Sequence, residues 1–183
     1  VWRLLDGVPL LACGREWIDP CVGDGAIVQA VKQRCQVGLD WSGHDIRNTE
    51  FVRKTAGFHH ADYLTLDREH RPWQSVCIMN PPFSRALQFA AVATSHCTVV
   101  AMLQRRNWLT SALRFDRKWI EGHPCSEHLL PERISFVGGT TDNQEYQWYC
   151  WPPQTGVKFL ASTPLAQRRV SLKAVDSQMD LLR

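Results

Sequence analysis

The segment 75–88, SVCIMNPPFSRALQ, runs through apolar side chains and stops at Asn80-Pro81-Pro82-Phe83. The two prolines fix φ and remove two backbone donors, and each drives the residue before it toward extended backbone. The pattern predicts a rigid strand-end loop with the Pro81 carbonyl exposed and Asn80 given little freedom. A carboxamide oxygen beside a backbone carbonyl is a pair of acceptors suited to a planar amino group. Phe83 offers a flat face for stacking a ring, a contact of about 1–3 kcal/mol per base in nucleic-acid complexes. The alternative is a proline turn that only ends a strand.

A second stretch, DPCVGDGA at 19–26, stands where a strand hands over to a helix. Gly23 and Gly25 allow close backbone approach to a ligand, and the helix that follows presents its first N–H groups there. Asp45, twenty positions after Gly25, is the acidic tip of the next strand, and a carboxylate there suits a ribose diol. A plain glycine turn is the competing explanation. Val28 stands where a nicotinamide-binding loop would carry its third glycine, and no G-K-[ST] follows for a nucleoside triphosphate. The pattern therefore points to a nucleoside ligand without a chain of phosphates.

The elements that must hold these residues alternate. Strands are predicted at 15–20, 41–47, 58–64, 76–79 and 97–103, and helices at 25–35, 51–57, 84–96 and 107–122. Strand–helix alternation predicts a mostly parallel α/β sheet. Two later β-like runs, 128–136 and 146–151, are joined by a loop too short for a helical crossover, which predicts an antiparallel pair at one edge. The sheet would then have seven strands. A domain over 1–152 and an extension over 153–183 are expected, the latter ending in an amphipathic helix or a loose tail.

The bulk composition fits one soluble domain. Of 183 residues, 44% are hydrophobic and 21% charged, enough for a full core but not for two comfortable domains. A net charge of +3 is mildly favourable for a polyanionic partner and excludes a histone-like binder. Seven cysteines with no C-x-x-C pair suit a reduced, cytoplasmic setting. No signal peptide or membrane-length apolar run is present in the sequence, which starts at Val1 in hydrophobic residues and reads as a trimmed chain or a fragment.

DPCVGDGA followed some sixty residues later by NPPF resembles motifs I and IV of the class I S-adenosylmethionine-dependent amino-methyltransferases, specifically the DNA adenine-N6 methyltransferases. The likeness covers roughly residues 14–152, and its C-terminal half is similar to small phage- or prophage-encoded members. It implies a Rossmann-like class I methyltransferase fold with an antiparallel edge hairpin. It also implies S-adenosylmethionine as methyl donor with no metal, a DNA partner presenting a flipped adenine, and the cytoplasm of a bacterial or phage-infected cell. RNA adenine and a protein glutamine amide are the rival acceptors, and a non-catalytic methyltransferase-like module is the other class of reading. On this resemblance Asp19, Pro20, Cys21, Gly23 and Gly25 cradle the methionine moiety, Asp45 with Ile46 holds the ribose, and Asp62 with Tyr63, in HADYL, takes the adenine ring of the cofactor. Asn80, Pro81, Pro82 and Phe83 receive the target amine. The family's N-terminal cofactor motif is not recognisable in residues 1–14, and no block of about 100 residues stands as a target-recognition domain.

Weaker signals lie after the fifth strand. Arg105 and Arg106 in QRRNW suit phosphates and Trp108 a base pocket; a solvated basic loop with a packed Trp is the equal alternative. Arg114, Arg117 and Lys118 read as a solvated helix face. His123, Cys125 and His128 match no usual zinc spacing. GGTTDNQE at 138–145 is a polar loop that either closes over substrate or connects two strands. Trp148, Tyr149 and Trp151 read as strand packing.

Overall fold

The computed structural model describes residues 1–35, 38–130, 134 and 144–153. A short helix α1 (Trp2–Gly7) leads to β1 (Glu16–Asp19), α2 (Ala26–Arg34), β2 (Asp40–Asp45), α3 (Glu50–Lys54) and β3 (Phe58–His60). Then come β4 (Gln74–Met79), α4 (Ala86–Thr94), β5 (Cys97–Arg105), α5 (Trp108–Phe115), α6 (Arg117–Gly122), β6 (Ser126–Leu129) and β7 (Tyr146–Trp151). The seven strands form one sheet in the order β3-β2-β1-β4-β5-β7-β6. The first five run parallel, and β7 pairs antiparallel with both β5 and β6.

The apolar run of β4 follows from its central place. Cys77 and Met79 enter one core layer with Ala86, Phe89 and Ala90 of α4, while Val76 and Ile78 enter the opposite layer with Leu4 of α1 and Val31 of α2. A strand covered on both faces needs apolar residues at successive positions, not alternating ones. Ala86, Ala90 and Ala93 are all buried, and their small side chains let α4 lie close on the sheet.

Local chemistry sets the ends of the helices. The Thr49 hydroxyl accepts the Val52 N–H at 3.2 Å at the start of α3. Glu50 in its first turn and Arg53 and Lys54 in its last complement the helix dipole.

Two expectations are adjusted. The helix expected over 107–122 is two, because Asp116 leaves helical backbone (φ −148, ψ 77) and its carboxylate accepts the Trp119 N–H at 2.9 Å, restarting the chain as α6. The sixth strand begins at Ser126 and ends at Leu129, ahead of Pro131, and the remainder of the run expected to 136 is largely outside the described residues. The expected antiparallel pair at one edge of a seven-stranded sheet is present, with β7 between β5 and β6. The extension beyond Pro153 and most of GGTTDNQE also lie outside the described residues. Among the described residues no helix is long and apolar enough to cross a membrane.

Candidate active site

The carboxyl ends of β1, β2, β3 and β4 open on one side of the sheet, and the strand order reverses between β1 and β4. In open α/β sheets such a reversal leaves a crevice for ligands. Here it holds a cavity of about 590 Å³, within the range of small-molecule sites.

The turn after β1 supplies Pro20 and Cys21 to the cavity wall. Asp19 lies behind it, fully buried, accepting the Cys21 N–H at 3.1 Å. Burial pushes the Asp19 carboxyl up to about 7, the Cys21 hydrogen bonds pull it down, and the nearby Asp45 carboxylate adds to the rise. Gly23 and Gly25 do not line the cavity. They shape the turn: both have positive φ (54° and 80°), and a Cβ at Gly25 would sit 2.3 Å from the Phe51 ring. Gly25 is the residue from which α2 starts.

Asp45 ends β2 inside the cavity wall, with Ile46 and Arg47 beside it. Its carboxylate accepts four hydrogen bonds: the Gly23 N–H at 2.7 Å, the Arg47 N–H at 2.8 Å, and the Arg47 guanidinium at 3.1 and 3.3 Å. Burial pushes this carboxyl up, but the Arg47 and Gly23 hydrogen bonds outweigh it and hold the group below the usual aspartate value. Four bonds fill the capacity of a carboxylate, so a ligand hydroxyl reaches Asp45 only by displacing Arg47, whose side chain is 65% exposed. Thr49 closes this side by donating its hydroxyl to the Gly23 carbonyl at 2.8 Å.

After β3, Asp62 keeps one oxygen on the Leu64 N–H (3.0 Å) and the other on Arg85 (3.1 Å). Tyr63 lines the cavity but is otherwise buried, stacked on Phe89 with its hydroxyl 2.9 Å from His96 Nε2. It presents a wall, not a free ring.

At the tip of β4 the four residues of NPPF all line the cavity. The Asn80 side chain makes no hydrogen bond among the described residues. Pro82 lies in extended backbone and its carbonyl accepts the Arg85 N–H at 3.0 Å, closing a tight turn into α4. The Pro81 carbonyl accepts a hydrogen bond from the Gln104 side chain at 3.1 Å. Phe83 remains 38% exposed. The Arg105 guanidinium lies 4.5 Å over its ring, and Tyr146 packs beside it at 5.8 Å.

The three residues expected to meet substrate from QRRNW separate. Arg105 reaches the site through Phe83. Arg106 is paired with Glu145 at 2.8 Å on the surface. Trp108 corrects the expectation of a base-pocket wall: it is 7% exposed and packs edge-on to Tyr149 and Trp151 within the core, because it opens α5 on the face that covers β7. His123 and His128 likewise have separate partners, Trp119 O and Ser126 Oγ. Arg47, Arg85, Gln104 and Tyr146 escaped sequence reasoning. The two arginines follow Asp45 and Pro82 by two and three positions, a proximity that could have marked them; Gln104 and Tyr146 come together only through the β5–β7 pairing.

No protein-family model matches the sequence, and no curated protein matches it. Among solved structures, one from Pyrococcus horikoshii, provisionally assigned as an RNA methyltransferase, is 13% identical, with a TM-score of 0.61 over 81% of this chain and 80% of that one. The human methyltransferase 10 domain containing protein is 13% identical, with a TM-score of 0.55 over 82% and 80%. The plantazolicin methyltransferase BpumL in complex with S-adenosylhomocysteine is 9% identical, with a TM-score of 0.50 over 81% of each chain. This chain has the Rossmann-like methyltransferase fold.

Proposed function

We propose that the protein transfers a methyl group from S-adenosylmethionine to the N6 amino group of adenine in DNA. The observation that carries this reading is the unpartnered Asn80 carboxamide beside the Pro81 carbonyl, in the same cavity as Asp45 and Asp62. The cavity residues suit the donor: Asp45 for the ribose once Arg47 moves aside, Asp62 for an adenine amino group, and Pro20 and Cys21 for the methionine end. When bound, S-adenosylmethionine supplies an electrophilic methyl group on a sulfonium.

The chain's own contribution is positioning and electrostatics. The lone pair of an exocyclic aromatic amine is delocalised into its ring, so the amine is a poor nucleophile. Two acceptors on its N–H bonds, Asn80 Oδ1 and Pro81 O, favour a pyramidal nitrogen whose lone pair is free to attack. The nitrogen–carbon bond forms as the carbon–sulfur bond breaks, and the surplus proton leaves the amine along one of these hydrogen bonds to solvent. Phe83 stacks the base, offsetting part of the few kcal/mol needed to extract it from a duplex.

Adenine in RNA is the second reading, favoured by the assignment of the Pyrococcus structure. Incubation with methyl-labelled cofactor and matched DNA and RNA oligonucleotides, followed by nucleoside mass spectrometry, separates them. Labelled N6-methyldeoxyadenosine is the expected product. N6-methyladenosine alone transfers the reading to RNA, and label in neither rejects both.

A further inference from the structure

Gln104 lies one residue from the end of β5 and is fully buried. Its Nε2 donates to the Pro81 carbonyl at 3.1 Å, and its Oε1 has no partner among the described residues. The assignment of the amide follows from chemistry, since only the NH₂ end can face a carbonyl. Across the sheet Gln147 stands directly opposite, but its own amide nitrogen is committed to Glu127. The Gln104 oxygen is therefore left bare, which is destabilising for a buried polar atom. A methionine of similar volume would fill the space without that penalty, so packing does not account for a glutamine here.

The NPPF loop explains the need. Neither proline has an N–H, so the loop has few backbone donors of its own. The Pro82 carbonyl is taken by the Arg85 N–H, and the Asn80 N–H is directed to the Cys21 thiol. That leaves the Pro81 carbonyl to be oriented from outside the loop, and Gln104 is the group that reaches it. A carbonyl oxygen has two lone pairs. Filling one from β5 fixes the plane of the Pro81–Pro82 peptide and leaves the other for a ligand.

We propose that Gln104 is a positioning residue, aiming the Pro81 carbonyl so that it and Asn80 act together on the target amine. This rests on the reading of Asn80 and Pro81 as the amine acceptors. It predicts a loss expressed in turnover, not in cofactor affinity, because Gln104 touches only the acceptor side of the site.

Gln104→Met and Gln104→Glu test it, with an adenine-containing oligonucleotide as substrate and Asn80→Ala as control. Gln104→Met should lower kcat roughly 10- to 100-fold, with KM and the Kd for S-adenosylmethionine within about threefold of wild type. Gln104→Glu carries a sharper signature. A neutral carboxylic acid can still donate to the Pro81 carbonyl, whereas a carboxylate cannot. Its kcat should approach wild type at the acidic end of the assay range and fall as pH rises, a limb absent from the wild type. A merely structural role would not produce that profile, and the profile decides the matter even if Gln104→Met fails to fold. Wild-type kcat in Gln104→Met, or a wild-type pH profile in Gln104→Glu, overturns the inference while an inactive Asn80→Ala leaves the underlying reading standing. Full activity in Asn80→Ala, or no transfer by wild type to DNA or RNA, overturns both.

Discussion

Asp19 offers a direct energetic test of how the site is built. Its carboxyl is fully buried at the end of β1 and pushed from the ordinary 3.8 up to about 7. In the unfolded chain it titrates near 4. Between those values the folded protein holds a proton that the unfolded chain has lost, so this residue makes stability fall as pH rises. At about 1.4 kcal/mol per unit, the accumulated penalty above pH 7 is on the order of 4 kcal/mol.

Asp19→Asn removes the charge and retains an oxygen for the Cys21 N–H, 3.1 Å away. The variant should gain nothing near pH 4 and about 4 kcal/mol above pH 7. The raw wild-type profile cannot isolate this, because burial, aided by His59, holds His44 down at about 4. A histidine shifted that way makes stability rise between about 4 and 6.5 and opposes the Asp19 slope. Subtracting wild type from variant cancels the His44 contribution. Urea denaturation of both proteins at intervals from pH 4.5 to 8.5 measures the difference. An advantage that grows with pH and levels off near 7 supports the reasoning. A difference that stays constant across the range refutes it, since Asp19 would then have an ordinary carboxyl.

Two further outcomes follow from the same geometry. Arg47→Ala removes the guanidinium that occupies Asp45 and should tighten S-adenosylmethionine binding by up to about fivefold in calorimetry, matching the ~0.2–1 kcal/mol of an exposed ion pair; weaker binding would mean that Arg47 itself contacts the cofactor. Trp108→Ala, which empties a core site against Tyr149 and Trp151, should cost about 3–5 kcal/mol of stability by urea denaturation. A loss under 1 kcal/mol would return Trp108 to the substrate side.

Much of this architecture was legible in the order of residue types. β4 announced itself as a strand by its unbroken apolar run, and NPPF as a strand-end loop by two prolines that fix φ and remove donors; the central place of β4 came only with the fold. Asp45 was legible because a carboxylate closing a second strand falls beside the first turn in any parallel α/β sheet. What the sequence concealed depends on contacts between distant segments. Trp108 is equally compatible with a pocket and a core until α5 is laid against β7. The break at Asp116 was hidden because a side chain capping its own backbone competes with an otherwise continuous helical pattern. Gln104 falls at the end of an apolar strand and reads as a polar residue leaving the core; only the fold brings it under Pro81. The saturation of Asp45 by Arg47 was equally invisible, because proximity in sequence does not fix side-chain direction.

The central claim is that Asn80 acts on the target amine while other residues of the same cavity, Asp45 and Asp62, hold the cofactor. The most direct measurement pairs methyl transfer to an adenine oligonucleotide with calorimetric S-adenosylmethionine binding, for wild type and Asn80→Ala. The account predicts that transfer falls about a hundredfold or more while the cofactor Kd stays within about threefold. Transfer retained within tenfold of wild type by Asn80→Ala would contradict it.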